Sequence, residues 1–327
     1  MFDEKPTRTR ATFVAQAKVV KRLTKQAFRE GGHDDLDPRL GLIILVTWFL
    51  AAGGRWEPAT IRSYKAAIQA VLEEVLERMP DDAQYQDALD CLKTGPAPSP
   101  RVGGPPRTSA RKRKSDTPAE LEAVLAELTA ATHFAAAIAY GLLLYGHEFG
   151  LRPSEWASAS IVKGCLVVAN AKATNGRANG ESRSLGLDRL PEEYTAGLAS
   201  FLNCLSNTMA KKSWSKVIYP AARGQLRVAC KRAAAQVPTL RNRPIAFYTG
   251  RHVVAGRAKG TMQRDSVAAL LGHATDRTAT TNYARARSIK GWGPILAEPD
   301  PGQIATVKAR FRETRVTAVP TTPKPRA

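Results

Sequence analysis

Residues 267–286 read VAALLGHATDRTATTNYARA, with Tyr283 ten positions after His273. Two isolated arginines lie upstream in distinctive settings, Arg152 in GLRPSE and Arg251 in YTGRH. A phenol that can attack, an imidazole that can exchange a proton and two permanent guanidinium charges are the groups needed to cut a phosphodiester without a metal. Taken singly, each has a bland explanation. A helical tyrosine is usually core, a lone histidine is usually packed, and an arginine beside an acid is usually a salt bridge. The combination and its order carry the inference.

The charge balance supports a polyanionic partner. The 327 residues hold 49 Lys and Arg against 29 Asp and Glu, a formal net charge of +20. Such a field attracts phosphates and says little about fold. A polybasic membrane-surface protein is disfavoured because no amphipathic anchor or lipidation motif accompanies the charge. With 43% hydrophobic residues the chain can build real cores, which excludes full disorder, and its length suggests two domains. Cys91, Cys165, Cys204 and Cys230 stand singly and read as small buried residues. Neither a zinc site nor a disulfide framework is suggested, and no cofactor is implied. The opening MFDEKPTRTR lacks the apolar stretch of a signal peptide, and the longest apolar run, LGLIILVTWFLAA (residues 40–52), is too short to span a bilayer. These features predict a cytoplasmic chain.

From Thr12 to about Lys93 the pattern is helical. Ile61, Ile68, Val71, Leu72, Val75 and Leu76 form one apolar stripe on a helix entered at Pro58, with Arg62 and Lys65 on its other face. With segments near 13–30, 40–52 and 83–93 this predicts a four-helix unit over residues 1–93. Residues 94–116, TGPAPSPRVGGPPRTSARKRKSD, break every period and read as a linker. Its run Arg111, Lys112, Arg113, Lys114 is expected to track a nucleic-acid backbone.

A second domain is predicted over 117–298. Thr117-Pro118-Ala119-Glu120 is a capping box with proline at the first helical position. Helices are expected near 118–131 and 134–147. Stretches 165–170 and 182–187 flank the polar turn KATNGRANGE (172–181), a hairpin with a basic tip bearing Lys172, Arg177 and, in the same turn, Arg183. Helical patterns resume to about residue 290. Residues 299–327 read as a tail with one short helix near 304–312.

Three segments together resemble the tyrosine recombinase, or phage integrase, family: YGHEFGLRPSEW (145–156), FYTGRHVVAGRAKG (247–260) and VAALLGHATDRTATTNYARA. They stand in family order with a basic hairpin between the first two, and the resemblance covers roughly residues 117–290. The N-terminal unit is similar to that family's core-binding domain. The resemblance implies a mainly α chain with a small β-hairpin or sheet, a helical core-binding domain and a mixed α+β catalytic domain.

It also implies roles. Arg152 and Arg251 would clamp the scissile phosphate, Tyr283 would form a 3′-phosphotyrosyl intermediate, His273 would hydrogen-bond a phosphate oxygen, and Lys172 would protonate the departing 5′ oxygen. The implied partner is double-stranded DNA, bound by a homotetramer on paired recombination sites, with room for accessory DNA-bending proteins. Arg62, Lys65, Arg111, Lys112, Arg113, Lys114, Arg177 and Arg183 are the candidate DNA contacts. The chain departs from the family pattern twice: Tyr248 stands where a histidine is usual, three positions before Arg251, and the interval from His273 to Tyr283 is one residue longer. Glu155 reads as structural or as orienting an arginine, and His252 as a fold residue facing away from the substrate. Two other functions share these motifs, a catalytically silent DNA-binding protein and a type IB topoisomerase-like relaxing enzyme.

Overall fold

A computed structural model of the chain describes residues 10–32, 40–103, 113–173, 178–278 and 283–309. Arg111, Lys112 and Arg177 lie outside the described residues. The chain divides into two compact units, 1–112 and 113–327.

The first unit contains α1 (Arg10–Gly31), α2 (Gly41–Ala51), α3 (Pro58–Arg78) and α4 (Ala83–Thr94). Ile61, Ile68 and Leu72 of the α3 stripe are buried against Val20 and Leu23 of α1, Leu45 and Phe49 of α2, and Leu89 and Leu92 of α4. Val71, Val75 and Leu76 pack at the margin. The Asp82 carboxylate caps α4 by accepting from the Gln84 and Tyr85 amides at 3.0 and 3.2 Å, an arrangement worth about 1 kcal/mol. Arg62 is exposed, and Lys65 reaches the Lys93 carbonyl. Part of the predicted linker belongs to this unit, because Ser99 O accepts from Gly54 N and Arg101 N donates to Trp56 O, both at 2.9 Å.

The second unit begins with α5 (Pro118–Thr129), whose capping box forms as expected between Thr117 and Glu120. Arg113 does not run along a surface. Its guanidinium pairs with buried Glu120 and donates to Ser115 O at 2.7 Å and Arg243 O at 2.8 Å. Those contacts consume its donors inside the unit, which corrects the expectation that it tracks a phosphate backbone. Lys114 stays exposed. Helix α6 (Phe134–Phe149) is buried along most of its length and packs on α5, on α8 (Tyr219–Ala233) and on α10 (Phe247–Thr261). Between α6 and α8 lie three strands and α7 (Glu192–Met209), and a π turn at Trp214–Ile218 leads into α8. Short α9 (Thr239–Asn242) precedes α10, and α11 (Arg264–Leu270) follows it.

The expected hairpin is the centre of a larger sheet. Strands β1 (Ser160–Val162), β2 (Cys165–Ala169), β3 (Ser182–Gly186) and β4 (Glu298–Pro299) are antiparallel in that order. Residues Cys165 to Ala169 pair with Gly186 to Ser182. Leu166, Val168 and Leu185 are fully buried, and Arg183 shares the inward face of β3 with Leu185. Only Cys230 of the four cysteines is buried; Cys91 and Cys204 are exposed because they sit on the outer faces of α4 and α7.

Two expectations about the C-terminal region are corrected. From Tyr283 to Lys290 the chain is irregular, with one 3-10 turn at Ala286–Ser288, rather than helical. Residues 299–309, read as the start of a tail with a short helix, bond to β3 and to the turn after His273. After β4 they form α12 (Pro301–Ala305), whose Gln303 side chain bonds Ser184 N and Ser182 O, and Lys308 N then donates to Ala274 O at 3.0 Å. The expected helix thus ends at Ala305, and residues 310–312 lie outside the described residues. No helix among the described residues is long and apolar enough to cross a membrane.

Arg257 ties the segment after Tyr283 to the core. It donates to His147 O at 2.6 Å, Gly293 O at 2.8 Å and Pro294 O at 2.7 Å, and pairs with Glu148 at 3.0 Å. The other Glu148 oxygen accepts from the Leu296 and Ala297 amides, and Trp292 stacks on His147 while donating to Asp116 O. Removing one partner of a nearly buried ion pair strands the other. Arg257→Leu is therefore expected to cost about 3–5 kcal/mol in global stability, measured by urea unfolding of the full chain.

Candidate active site

The site is assembled where helices end. Helix α6 terminates in a left-handed glycine, Gly150, at φ +61°. Helix α11 terminates in a Schellman motif: Gly272, at φ +65°, donates its amide to Ala269 O at 2.9 Å, and the His273 amide donates to Ala268 O at 2.8 Å. This is the local reason for the LLGH sequence. The glycine supplies the left-handed turn that other residues resist, and the chain reverses so that the His273 side chain faces inward. A Cβ on Gly272 would lie 2.4 Å from Asn170 Oδ1 and 2.8 Å from Arg183 Nη1.

Close approach of α10 to α6 places Arg251. A Cβ on Gly250 would lie 2.8 Å from Gly146 O, so the backbones meet without side chains between them. Arg251, on the next residue, has no exposed surface. Its Nη1 donates to Gly150 O at 2.7 Å and its Nη2 to Leu271 O at 2.6 Å, the carbonyls left unpaired at the ends of α6 and α11. Those helix C-termini present partial negative charge to the cation.

Arg152 follows α6 and is gripped by Glu155, one turn on: its amide bonds Glu155 Oε2 at 2.7 Å and its Nη1 bonds Oε1 at 2.5 Å. Glu155 is itself buried and accepts further from Arg183 Nη2 at 2.8 Å and Ala171 N at 3.3 Å. Arg251 Nη1 lies 3.8 Å from Glu155 Oε2. Burial opposes ionisation of Glu155, but the charges of Arg183, Arg251 and Arg152 outweigh it and hold the carboxyl well below its ordinary range.

The Tyr283 oxygen lies 3.0 Å from Arg251 Nε, 3.2 Å from His273 Nε2 and 3.2 Å from the Tyr248 hydroxyl. Donor and acceptor roles follow from chemistry. Arg251 can only donate. His273 Nε2 also faces Arg251 Nη2 at 3.1 Å, so it is the acceptor there and receives the Tyr283 proton as well. Tyr248 then donates to the Tyr283 oxygen. Lys259 Nζ holds the backbone of this segment through Ala284 O at 3.0 Å.

The electrostatics separate the two phenols. Burial raises the Tyr283 phenol, but Arg251, the Tyr248 hydrogen bond and Arg152 outweigh it, so its pKa falls below the ordinary tyrosine value. Burial and the neighbouring Tyr283 push Tyr248 up to about 12. His273 is lowered to about 2, first by burial and then by Arg251, Arg152, Arg183 and Lys172. The ring is neutral at any working pH and free to accept.

The structure therefore brings Arg152, Tyr248, Arg251, His273 and Tyr283 together, and places exposed Lys172 close enough for its charge to act on His273. Two expectations change. Arg183 is not at the hairpin tip but on β3, with 1% of its surface exposed, bonded to Asn170 Oδ1 at 2.5 Å and to Glu155. An inward strand position within reach of a buried carboxylate, rather than solvent, takes its charge. His252 does not face away: its ring centroid lies 5.3 Å from that of Tyr248 and 5.2 Å from that of Tyr283. The signal was present in the sequence, because residues four apart share a helix face, and Tyr248 and His252 are four apart. Among the described residues no group of three or more His, Cys, Asp or Glu side chains could hold a metal ion.

No family model matches the chain, and no curated protein matches it. Among solved structures the chain is similar to the crystal structure of XerA recombinase, at 14% identity and a TM-score of 0.36, over 80% of this chain and 92% of that one. A likeness of this size carries no residue roles, which rest on the geometry itself.

The phenol pair gives a direct test. In the full chain labelled with ¹³C at tyrosine Cζ, the signal lost in Tyr283→Phe should titrate below the ordinary phenol range, and the signal lost in Tyr248→Phe near 12. In Tyr283→Phe the Tyr248 titration should move down, because the neighbouring phenolate is gone. Coincident titration of both phenols at the model-peptide value of about 10 would contradict the assigned cation field.

Proposed function

We propose that the chain is a DNA-cutting and rejoining enzyme, a site-specific recombinase of the tyrosine type acting on double-stranded DNA. The observation that carries this reading is the Tyr283 oxygen held by Arg251, His273 and Tyr248, with Arg152 fixed alongside through Glu155. A phenol set among permanent cations is suited to attack a phosphate, whose negative charge those cations would also stabilise.

In the proposed step the Tyr283 oxygen attacks the scissile phosphorus. The new O–P bond forms as the bond to the 5′ oxygen breaks, and that oxygen takes a proton from Lys172. The phenolic proton leaves to His273 Nε2, its hydrogen-bond acceptor. Arg152 holds a non-bridging oxygen, where guanidinium donors in a planar fork match phosphate geometry, and Arg251, fully buried in the free chain, supports the phosphate through its charge. Loss of one such donor costs roughly 3–4 kcal/mol of transition-state stabilisation by analogy with oxyanion-hole deletions. Attack by the strand's free 5′ hydroxyl on the phosphotyrosyl bond reverses the step, so rejoining needs no nucleotide cofactor. Exposed Arg62 and Lys114, and partly exposed Lys65, are suited to phosphate contact.

Tyr248 replaces an imidazole with a phenol that ionises near 12, so it serves as a hydrogen-bond donor and not as a base. Tyr248 is the one feature that suits a silent DNA-binding protein of the same fold; the presence of Tyr283, Arg152 and Arg251 together favours an active enzyme.

With a duplex nicked near the cleavage point, the wild-type chain should form a covalent adduct that survives denaturing electrophoresis. Tyr283→Phe should abolish the adduct while duplex binding stays within about threefold, since only one oxygen is removed. An adduct in the Phe variant would move the nucleophile elsewhere. Tyr248→Phe should slow adduct formation about 10- to 1000-fold, the range for losing one positioned hydrogen-bonding group, and Tyr248→His should be tolerated. An unaltered rate in Tyr248→Phe would reduce that ring to packing.

A further inference from the structure

We propose that Arg183 is a positioning residue of this site: by occupying Glu155 and Asn170 it keeps Arg251 from closing further onto the Glu155 carboxylate and holds the supports of Arg152 and the His273 turn in place. The proposal rests on the phosphotyrosyl reading for its consequence, though its geometry stands without DNA.

Glu155 is one carboxylate among three guanidinium groups, and its two oxygens are divided between them. Oε1 takes Arg152 Nη1 and the Ala171 amide, which fixes the chain just before Lys172. Oε2 takes the Arg152 amide and Arg183 Nη2, and Arg251 Nη1 stands off from it at 3.8 Å. Without Arg183, Oε2 would keep only the Arg152 amide, and Arg251 Nη1, already at 3.8 Å, would be the nearest cation drawn to it. Arg251 would then tighten that ion pair at the expense of its Nε contact with the Tyr283 oxygen.

Arg183 is locked in turn. Its Nη1 donates to Asn170 Oδ1 at 2.5 Å, and Asn170 Nδ2 pins the far side of the hairpin through Asn179 O and Gly180 O, each at 3.1 Å. The same guanidinium floors the His273 turn, because Gly272 has room only for a hydrogen against Arg183 Nη1 and Asn170 Oδ1. One buried side chain therefore touches the supports of Arg152, Arg251, Lys172 and His273 while its own burial removes it from any ligand. Lysine cannot substitute, since a single ammonium does not span Asn170 and Glu155 in a planar fork.

The test compares the full chain with Arg183→Met, Arg183→Lys, Glu155→Gln and the double variant Arg183→Met/Glu155→Gln. Without DNA, the ¹³Cζ titration of Tyr283 should shift upward in Arg183→Met by roughly one pH unit, the order expected when one nearby charge is lost and another is drawn away. With saturating nicked duplex, its adduct rate should fall about 100-fold while the duplex Kd and the salt slope of binding stay unchanged, because no phosphate contact is lost. Arg183→Lys should fall between. The double variant removes both buried charges together, so it provides a folded comparison if Arg183→Met alone unfolds. It should react faster than Arg183→Met, or at least match Glu155→Gln, since no carboxylate remains to capture Arg251.

A flattened salt slope in Arg183→Met would make Arg183 a DNA contact and overturn the proposal. So would a Tyr283 titration and adduct rate per folded molecule equal to wild type, which would leave Arg183 a purely structural residue. Absence of any adduct from the wild-type chain, with the Tyr283 titration still shifting in Arg183→Met, would overturn the phosphotyrosyl reading alone.

Discussion

Burial of the Arg251 guanidinium is the constraint on which the site depends. Moving a cation out of water costs several kcal/mol even after relaxation, so the surroundings must supply fixed negative charge and hydrogen-bond acceptors. Here they come from backbone as much as from side chains: Gly150 O and Leu271 O are the open carbonyls of two helix ends, and Glu155 stands near. Both glycines that terminate those helices, and Gly250 that lets α10 meet α6, are needed to aim these carbonyls at one guanidinium. The fold of the second unit is in this sense a scaffold for a single desolvated charge.

A site built this way carries excess positive potential. One ionised carboxylate, Glu155, faces Arg152, Arg183 and Arg251, and the imbalance is felt by every other group. It lowers Tyr283 and keeps His273 neutral, whereas at Tyr248 burial and the neighbouring Tyr283 outweigh it and leave that phenol protonated. Two phenols with oxygens 3.2 Å apart cannot both ionise, so the cation nearest one of them decides which does. Arg251 Nε lies against Tyr283, and that choice follows from helix packing.

The groups to which the proposed chemistry is assigned were legible because their types and order are unusual in sequence: Arg152, Arg251, His273 and Tyr283 each sit in a recognisable local setting. Their supports were not. Arg183 lies in the polar string ESRS, which reads as a solvated tip. The alternation that includes Leu185 and Leu187 would have turned it inward, since a strand sends every second side chain to the same face. His252 was hidden by its neighbour, because adjacency to Arg251 suggested a different face while helical spacing links it to Tyr248. Strand β4, with Glu298 and Pro299, is too short to show a period, and proline is read as an end to structure unless it sits at an edge, as it does here. Arg113 looked like part of a basic run, yet the buried Glu120 of its own capping box claims it. For Arg183, β4 and Arg113 a tertiary partner outweighed local composition, whereas for His252 the helical spacing alone was enough to show it.

Proton transfer follows from the same field. In the free site His273 is the acceptor for the Tyr283 proton, but a ring lowered to about 2 is a weak base. The dominant causes of that depression are burial and the arginine charges, and of these only the charges can be altered by a ligand. An anion placed beside Arg152 cancels part of the arginine potential at His273 and restores basicity to its Nε2, and by the same cancellation it raises the Tyr283 phenol. Under the proposed reaction, phosphate binding therefore strengthens the base at the moment the nucleophile must lose its proton. Tyr248 cannot replace His273 in this respect, since a neutral phenol near 12 donates to the departing negative charge but does not take a proton from it.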